Sequence, residues 1–371
     1  MYFRDKIITE GEIIMSYKSM SKNRVLSYDI IRIIAVLAVV MIHSSVSFVT
    51  TYPPKSTDFI LGNVFDGISR IGVPLFIMLS GALMLDENKE TPIKKMLKYA
   101  LRIFMLLCIW SLLYAVVYQI IQPLIDKRSI SVEGFWNAFA YGHYHLWYLY
   151  MLIGLYLITP ILKAFVKKSN EKIVLYFIIL AVIFQFAEPL INLLINQGTQ
   201  TTDLLQKFIY KFRMGFVGQY TAYYLLGWYI TNIKIKKTYR SCLYVLGFVG
   251  LFVTIMGTQL LINDMNKIYN SFYSDTSINV MCYSAAIFLF LYYFFKNKNY
   301  KRVNKISMTL SKLTFGVYLI HPYIITLLNK FINTKNALTQ IPLNWIVATA
   351  GAFLITFILS KIPLLKKLVR C

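Results

Sequence analysis

Residues 28–49 read Tyr28-Asp29-Ile30-Ile31-Arg32-Ile33-Ile34-Ala35-Val36-Leu37-Ala38-Val39-Val40-Met41-Ile42-His43-Ser44-Ser45-Val46-Ser47-Phe48-Val49. The run is as long as the roughly 20 apolar residues an α-helix needs to cross a bilayer core. Its polar exceptions are Arg32 and His43, eleven residues apart. At roughly 100° per residue, eleven steps return the two side chains to within about 20° of one face. A rise of about 1.5 Å per residue separates them by roughly 16 Å along the axis, half of a bilayer core. Ionisable groups at that depth are costly, so they are expected to line a polar path. An Arg32 that snorkels to the headgroups and a His43 hydrogen-bonded inside a bundle fit the same pattern. Asp29 stands at i, i+3 from Arg32, where it can hold the cation oriented or form an ordinary interfacial ion pair.

The rest of the chain repeats this apolar pattern. Hydrophobic residues make up 57% of it and charged ones 15%, against roughly a quarter charged in soluble domains. Apolar runs near 20 residues, broken by short basic loops, predict an all-α integral membrane protein. The expected spans lie near 28–49, 63–85, 99–121, 146–166, 173–195, 215–232, 241–262, 277–295, 313–332 and 342–362, about ten in all. A net charge of +23 first suggests a nucleic-acid partner. Its distribution argues otherwise. With the N-terminus inside, 25 of the 39 Lys and Arg fall on the cytoplasmic side, eight outside and six within spans. This is the positive-inside pattern, and it places both termini in the cytoplasm of a multi-pass protein of the cell membrane. Residues 1–24 read as a poorly ordered cytoplasmic leader, and 25–371 as one membrane domain. Cys108, Cys242, Cys282 and Cys371 have no paired spacing, so neither a disulfide nor a metal site is expected.

Several polar groups interrupt the spans. The second carries Asp66 and Arg70 one turn apart, followed by Gly72, Pro74, Ser80 and Gly81. Pro74 frees a backbone carbonyl, and the glycines permit close helix approach. The third opens with Lys94, Lys95, Lys98 and Arg102. Lys98 and Arg102 share a face at i, i+4, as positive-inside anchors or as a phosphate clamp. Arg102 lies deeper than anchoring requires. His143-Tyr144-His145-Leu146-Trp147 introduces the fourth span, bringing two of the chain's four histidines among interfacial aromatics. Spacing of i, i+2 does not place them on one helix face, which argues against a two-ligand metal site. The ninth span holds His321-Pro322, a polar side chain beside a broken hydrogen-bond ladder.

Four ordered motifs resemble the integral-membrane acyltransferase 3 family. They are Arg32-x10-His43, Gly72-Val-Pro-Leu-Phe-Ile-Met-Leu-Ser80-Gly81, Leu146-Trp147-Tyr…Tyr156…Pro160, and Phe315-Gly-Val-Tyr318-Leu-Ile-His321-Pro322. The resemblance covers roughly residues 25–360 and implies ten spans. It also implies transfer of an acyl group, usually acetyl from acetyl-CoA, to a sugar of a cell-surface glycan. Carried onto this chain, it makes His43 the essential histidine and Arg32 its cationic partner. Arg102 falls where the family has a basic pair, although the first member of that pair is here Tyr99, with Lys98 adjacent. Longer relatives have an acidic residue where this chain has Leu152, so the resemblance is to the short, stand-alone branch of glycan O-acetyltransferases.

The expectation is therefore a membrane O-acyltransferase with no tightly bound cofactor. Acetyl-CoA would be its donor substrate, held by Lys98 and Arg102. The acceptor, a glycan or its lipid-linked precursor, would be held by Arg70, His145, Trp147 and His321. His43 can deprotonate a sugar hydroxyl or carry the acyl group itself, because imidazole titrates near neutral pH. The competing expectation is a transporter or flippase with Arg32 and His43 on its path. The sequence shows no inverted repeat to support that reading.

Overall fold

A computed structural model describes residues 25–127, 129–195, 220–265, 272–298, 300–332, 334 and 336–370. The leader 1–24 lies outside the described residues, as does the first part of the expected span at 215–232. Every regular element among the described residues is helical: α1 (Leu26–Thr51), α2 (Thr57–Ser69), α3 (Gly72–Met84), α4 (Ile93–Val116), α5 (Val132–Tyr141), α6 (Trp147–Lys168) and α7 (Glu171–Ile195). These are followed by α8 (Tyr220–Asn232), α9 (Lys237–Met265), α10 (Ile278–Phe295), α11 (Lys301–Ser311), α12 (Thr314–Phe331), α13 (Ala337–Leu359) and the short α14 (Lys366–Val369). Among the described residues seven stretches are long and apolar enough to cross a membrane. An eighth is added when α11 and α12, bent by 59°, count as one span. The chain is a multi-span membrane protein.

The opening helix is the hub. α1 packs against α2, α3, α10, α11, α12 and α13, which buries its Ser27, Asp29, Ser44 and Ser45 in protein. Ser311 Oγ donates to Asp29 Oδ1 at 2.6 Å and ties α11 to α1. Trp345 Nε1 donates to the Leu37 carbonyl at 2.9 Å and ties α13 to it. On the outside of the bundle, α4 and α9 present Leu101, Phe104, Phe248 and Phe252, apolar surface that only lipid would cover.

The second span departs from the expected continuous helix, because α2 ends at Ser69 and α3 starts at Gly72. Pro74 has no N–H to offer the carbonyl four residues back, so the ladder restarts with Leu75 bonding to Ile71 at 2.9 Å. Arg70 sits in the break. Beyond it, Gly81 lies directly against the backbone of Tyr224 in α8, leaving no room for a side chain. α3 is thereby clamped between α1 and α8.

Candidate active site

All four histidines of the chain meet in one cluster, although they come from three separate segments. His43 on α1 stacks on His321 of α12, with ring centroids 5.2 Å apart and planes at 28°. Tyr144 meets His43 edge-on at 5.1 Å. His145 is buried with its centroid 5.9 Å from His321. His143 lies between Tyr114 at 4.3 Å and Tyr118 at 5.1 Å, nearly parallel to both. Gly142, at φ +71°, lets the chain turn from α5 into this histidine-bearing loop.

Hydrogen bonding orients the rings. His321 Nδ1 lies 3.0 Å from the Val317 carbonyl. A carbonyl can only accept, so Nδ1 carries the proton and Nε2 is left with a bare lone pair. That Nε2 is buried without a hydrogen-bond partner, and so is Nε2 of His145. Buried polar atoms are normally paired, so two open ring nitrogens in one cluster are an unusual cost. His143 Nδ1 and His145 Nδ1 are 2.9 Å apart, so one nitrogen donates and the other accepts. The Tyr318 hydroxyl donates to the His145 carbonyl, and the Tyr114 hydroxyl donates to the Leu319 carbonyl at 2.7 Å. These two bonds lock the histidine loop onto α12.

A cavity of about 490 Å³ opens at the Arg32 end of α1 and extends to Tyr318, whose ring packs on the cluster; no histidine lines it. Arg32, Arg102, Lys312 and Arg370 line it, and no carboxylate does. Tyr148 and Tyr318 form its inner wall. The same Tyr318 ring lies 5.4 Å from His145 and 6.4 Å from His321. Cations thus line the cavity mouth, tyrosines line its inner wall, and the imidazoles pack behind that wall.

The expected residues divide accordingly. His43, His145 and His321 converge, while Arg32 and Arg102 share the cavity. Lys98 does not line it and lies exposed on α4. The i, i+4 spacing with Arg102 was a poor guide because the cavity-facing side of α4 is set by its packing on α6. Arg70 is engaged elsewhere, with Nε and Nη2 on the two Asp66 carboxylate oxygens at 2.5 and 2.9 Å. Its guanidinium also lies 4.6 Å above the Tyr273 ring. Trp147 is 38% exposed and packs on Tyr220 at 5.7 Å, outside the histidine cluster. Sequence reasoning missed Lys312, Arg370, Tyr148 and Tyr318 as cavity residues. The two cations look like ordinary anchors in sequence, and Tyr148 and Tyr318 stood in the motifs without being singled out as cavity residues. Among the described residues no group of three or more His, Cys, Asp or Glu side chains is placed to hold a metal ion.

A helical membrane protein with a basic cavity beside a buried histidine cluster is the class that this fold and site define. A family model described as an acyltransferase domain matches residues 25–361. The chain belongs to that family, acyltransferase 3. Neither a curated protein nor a solved structure matches it.

Proposed function

We propose that this acyltransferase moves an acetyl group from cytosolic acetyl-CoA to a sugar hydroxyl of a cell-surface glycan or its lipid-linked precursor. What supports the reading is a cation-lined cavity whose Tyr318 wall lies against the histidine cluster that includes the His43–His321 pair. With both chain ends in the cytoplasm, the cavity opens towards the donor. Arginine forks match phosphate oxygens, and the cavity's aromatic walls suit the pantetheine arm. The thioester then stands at the Tyr148–Tyr318 wall.

Past the edge of that wall the thioester carbonyl meets the acceptor hydroxyl, whose proton His43 takes as the oxygen attacks. The C–S bond breaks, and the proton passes from His43 to the departing thiolate. The open Nε2 of His321 accepts a hydrogen bond from the acceptor and helps hold it. Trp147 offers an exposed indole on which a sugar face can stack. A histidine that first accepts the acetyl group and then yields it uses the same geometry.

The test uses the purified protein in nanodiscs with radiolabelled acetyl-CoA. Saturable binding or slow thioester hydrolysis is expected, with hydrolysis lost and binding retained in His43→Ala. Full turnover in a folded His43→Ala protein would overturn the mechanism. No interaction with acetyl-CoA, together with substrate flux in proteoliposomes, would assign the path to transport.

A further inference from the structure

The segment after α13 forms a second basic pocket that the four motifs do not touch. It encloses about 620 Å³ and is lined by Arg102, Ser360, Lys361, Lys366, Lys367 and Arg370, together with Pro363. Five of those seven residues are cations, and no carboxylate is among them. It adjoins the first cavity, because Arg102 and Arg370 line both. We propose that Lys361, Lys366, Lys367 and Arg370 bind the 3′-phosphate of the acyl-CoA nucleotide, extending the donor site beyond the first cavity. The inference rests on the acyl-CoA reading above.

Three features separate this pocket from a loose basic tail. Its backbone is fastened: Arg102 Nη2 donates to the Arg370 carbonyl at 2.7 Å, and Trp110 Nε1 donates to the Leu368 carbonyl at 3.1 Å. Val369 is fully buried against Gly316 of α12. Arg370 also has a buried Nε with no hydrogen-bond partner, a charged donor that an anion would satisfy. Like charges crowded without counter-charge repel, and a phosphate relieves that repulsion while satisfying the guanidinium. Lys366, Lys367 and Arg370 lie beyond residue 361, where the family match ends. A membrane lipid headgroup carries the same phosphate chemistry, so the test separates the two sources.

The full chain in zwitterionic nanodiscs is titrated with acetyl-CoA and with acetyl-dephospho-CoA, which lacks only the 3′-phosphate. Wild type is expected to bind acetyl-CoA about tenfold more tightly. Lys366→Ala/Lys367→Ala, both exposed and harmless to folding, should lose that preference while keeping its affinity for acetyl-dephospho-CoA. Lys94→Ala/Lys95→Ala, which removes equal charge outside both pockets, should keep the preference. An undiminished preference in the Lys366/Lys367 variant overturns the inference. So does a variant that changes only the retention of phosphatidylglycerol in anionic nanodiscs, since its lysines would then serve lipid. Wild type that binds both donors equally overturns the 3′-phosphate assignment and leaves the acyl-CoA reading standing. Wild type that binds neither overturns both.

Discussion

Two buried polar clusters lie within the spans, and they differ in how completely they are satisfied. Around Arg70 the polar groups are matched. Both oxygens of Asp66 meet the guanidinium, the Tyr273 hydroxyl donates to Asn63, and Tyr283 donates to the Gly67 carbonyl at 2.7 Å. Around His43 the rings are packed closely, yet Nε2 of His145 and of His321 have no partner. A saturated network rigidifies the place where the chain breaks between α2 and α3. An unsaturated one contributes less to stability, because its buried ring nitrogens make no compensating hydrogen bond within the protein. The contrast, together with the proposed mechanism, leads us to expect a structural role for Arg70 and a chemical one for the histidines.

The most severe test of that contrast is to exchange the expected phenotypes. His43→Ala should lower kcat by about 10²–10⁴-fold, the usual contribution of a positioned acid–base group, with thermal stability nearly unchanged. Asp66→Asn should do the opposite. It leaves Arg70 charged with its carboxylate gone, which in a buried pair costs about 3–5 kcal/mol. The expected result is a sharp loss of monodisperse protein and of Tm in detergent. Asp66→Asn/Arg70→Gln should recover part of the loss, because no unpaired charge remains. A stable Asp66→Asn protein with ruined turnover would place Arg70 in the active site after all.

Much of this was legible in one helix. The apolar length of residues 28–49 gives a span, and the eleven-residue spacing puts Arg32 and His43 on one face. Whether that face meets lipid or protein, and which protein, is a question of helix packing that periodicity does not answer. The meeting of His43 with His321 joins residues nearly 280 positions apart, and no local rule brings them together. Lys98 lies outside the cavity lining for the same reason, since sharing a face with Arg102 says nothing of where α6 lies. The break at Arg70 was signalled by Pro74, but its consequence was not. A frozen guanidinium between two helices looks, in sequence, like one more intramembrane charge. Lys312 and Arg370 were hidden by the abundance of lysine and arginine at helix ends, where anchoring is the ordinary explanation.

A smaller effect sharpens the role of the open nitrogen. His321→Ala should reduce kcat/KM for acceptor by about 10²-fold while leaving acetyl-CoA binding unchanged. His321→Gln keeps an acceptor oxygen at a similar reach and should recover part of that loss. Equal loss in both variants would mean that the ring itself, through its stack on His43, matters more than its lone pair. Trp147→Ala should act more weakly still, raising the acceptor KM by about tenfold or less with kcat retained, since the indole lies outside the histidine cluster.

The smallest effect concerns Asp275, in the connection between α9 and α10. Burial pushes its carboxyl up to about 6, with Asp66 adding to the rise and Arg70 opposing it. The direction fixes the sign. A carboxyl raised in the folded protein above its unfolded value of 3.8 favours the protonated fold, so it imposes no penalty below that value. The penalty grows as pH rises from about 4 to about 6 and is constant above. Asp275→Asn should therefore raise Tm by a few degrees at pH 7.5, with the gain over wild type shrinking to nothing near pH 4. The measurement is the difference in Tm between variant and wild type across that window, which cancels every other titrating group. A constant difference would show that the carboxylate is satisfied when charged, and would join Asp275 to the saturated cluster around Arg70. A difference that vanishes in acid would instead make Asp275 a second unsatisfied group, facing the Arg70 network rather than belonging to it.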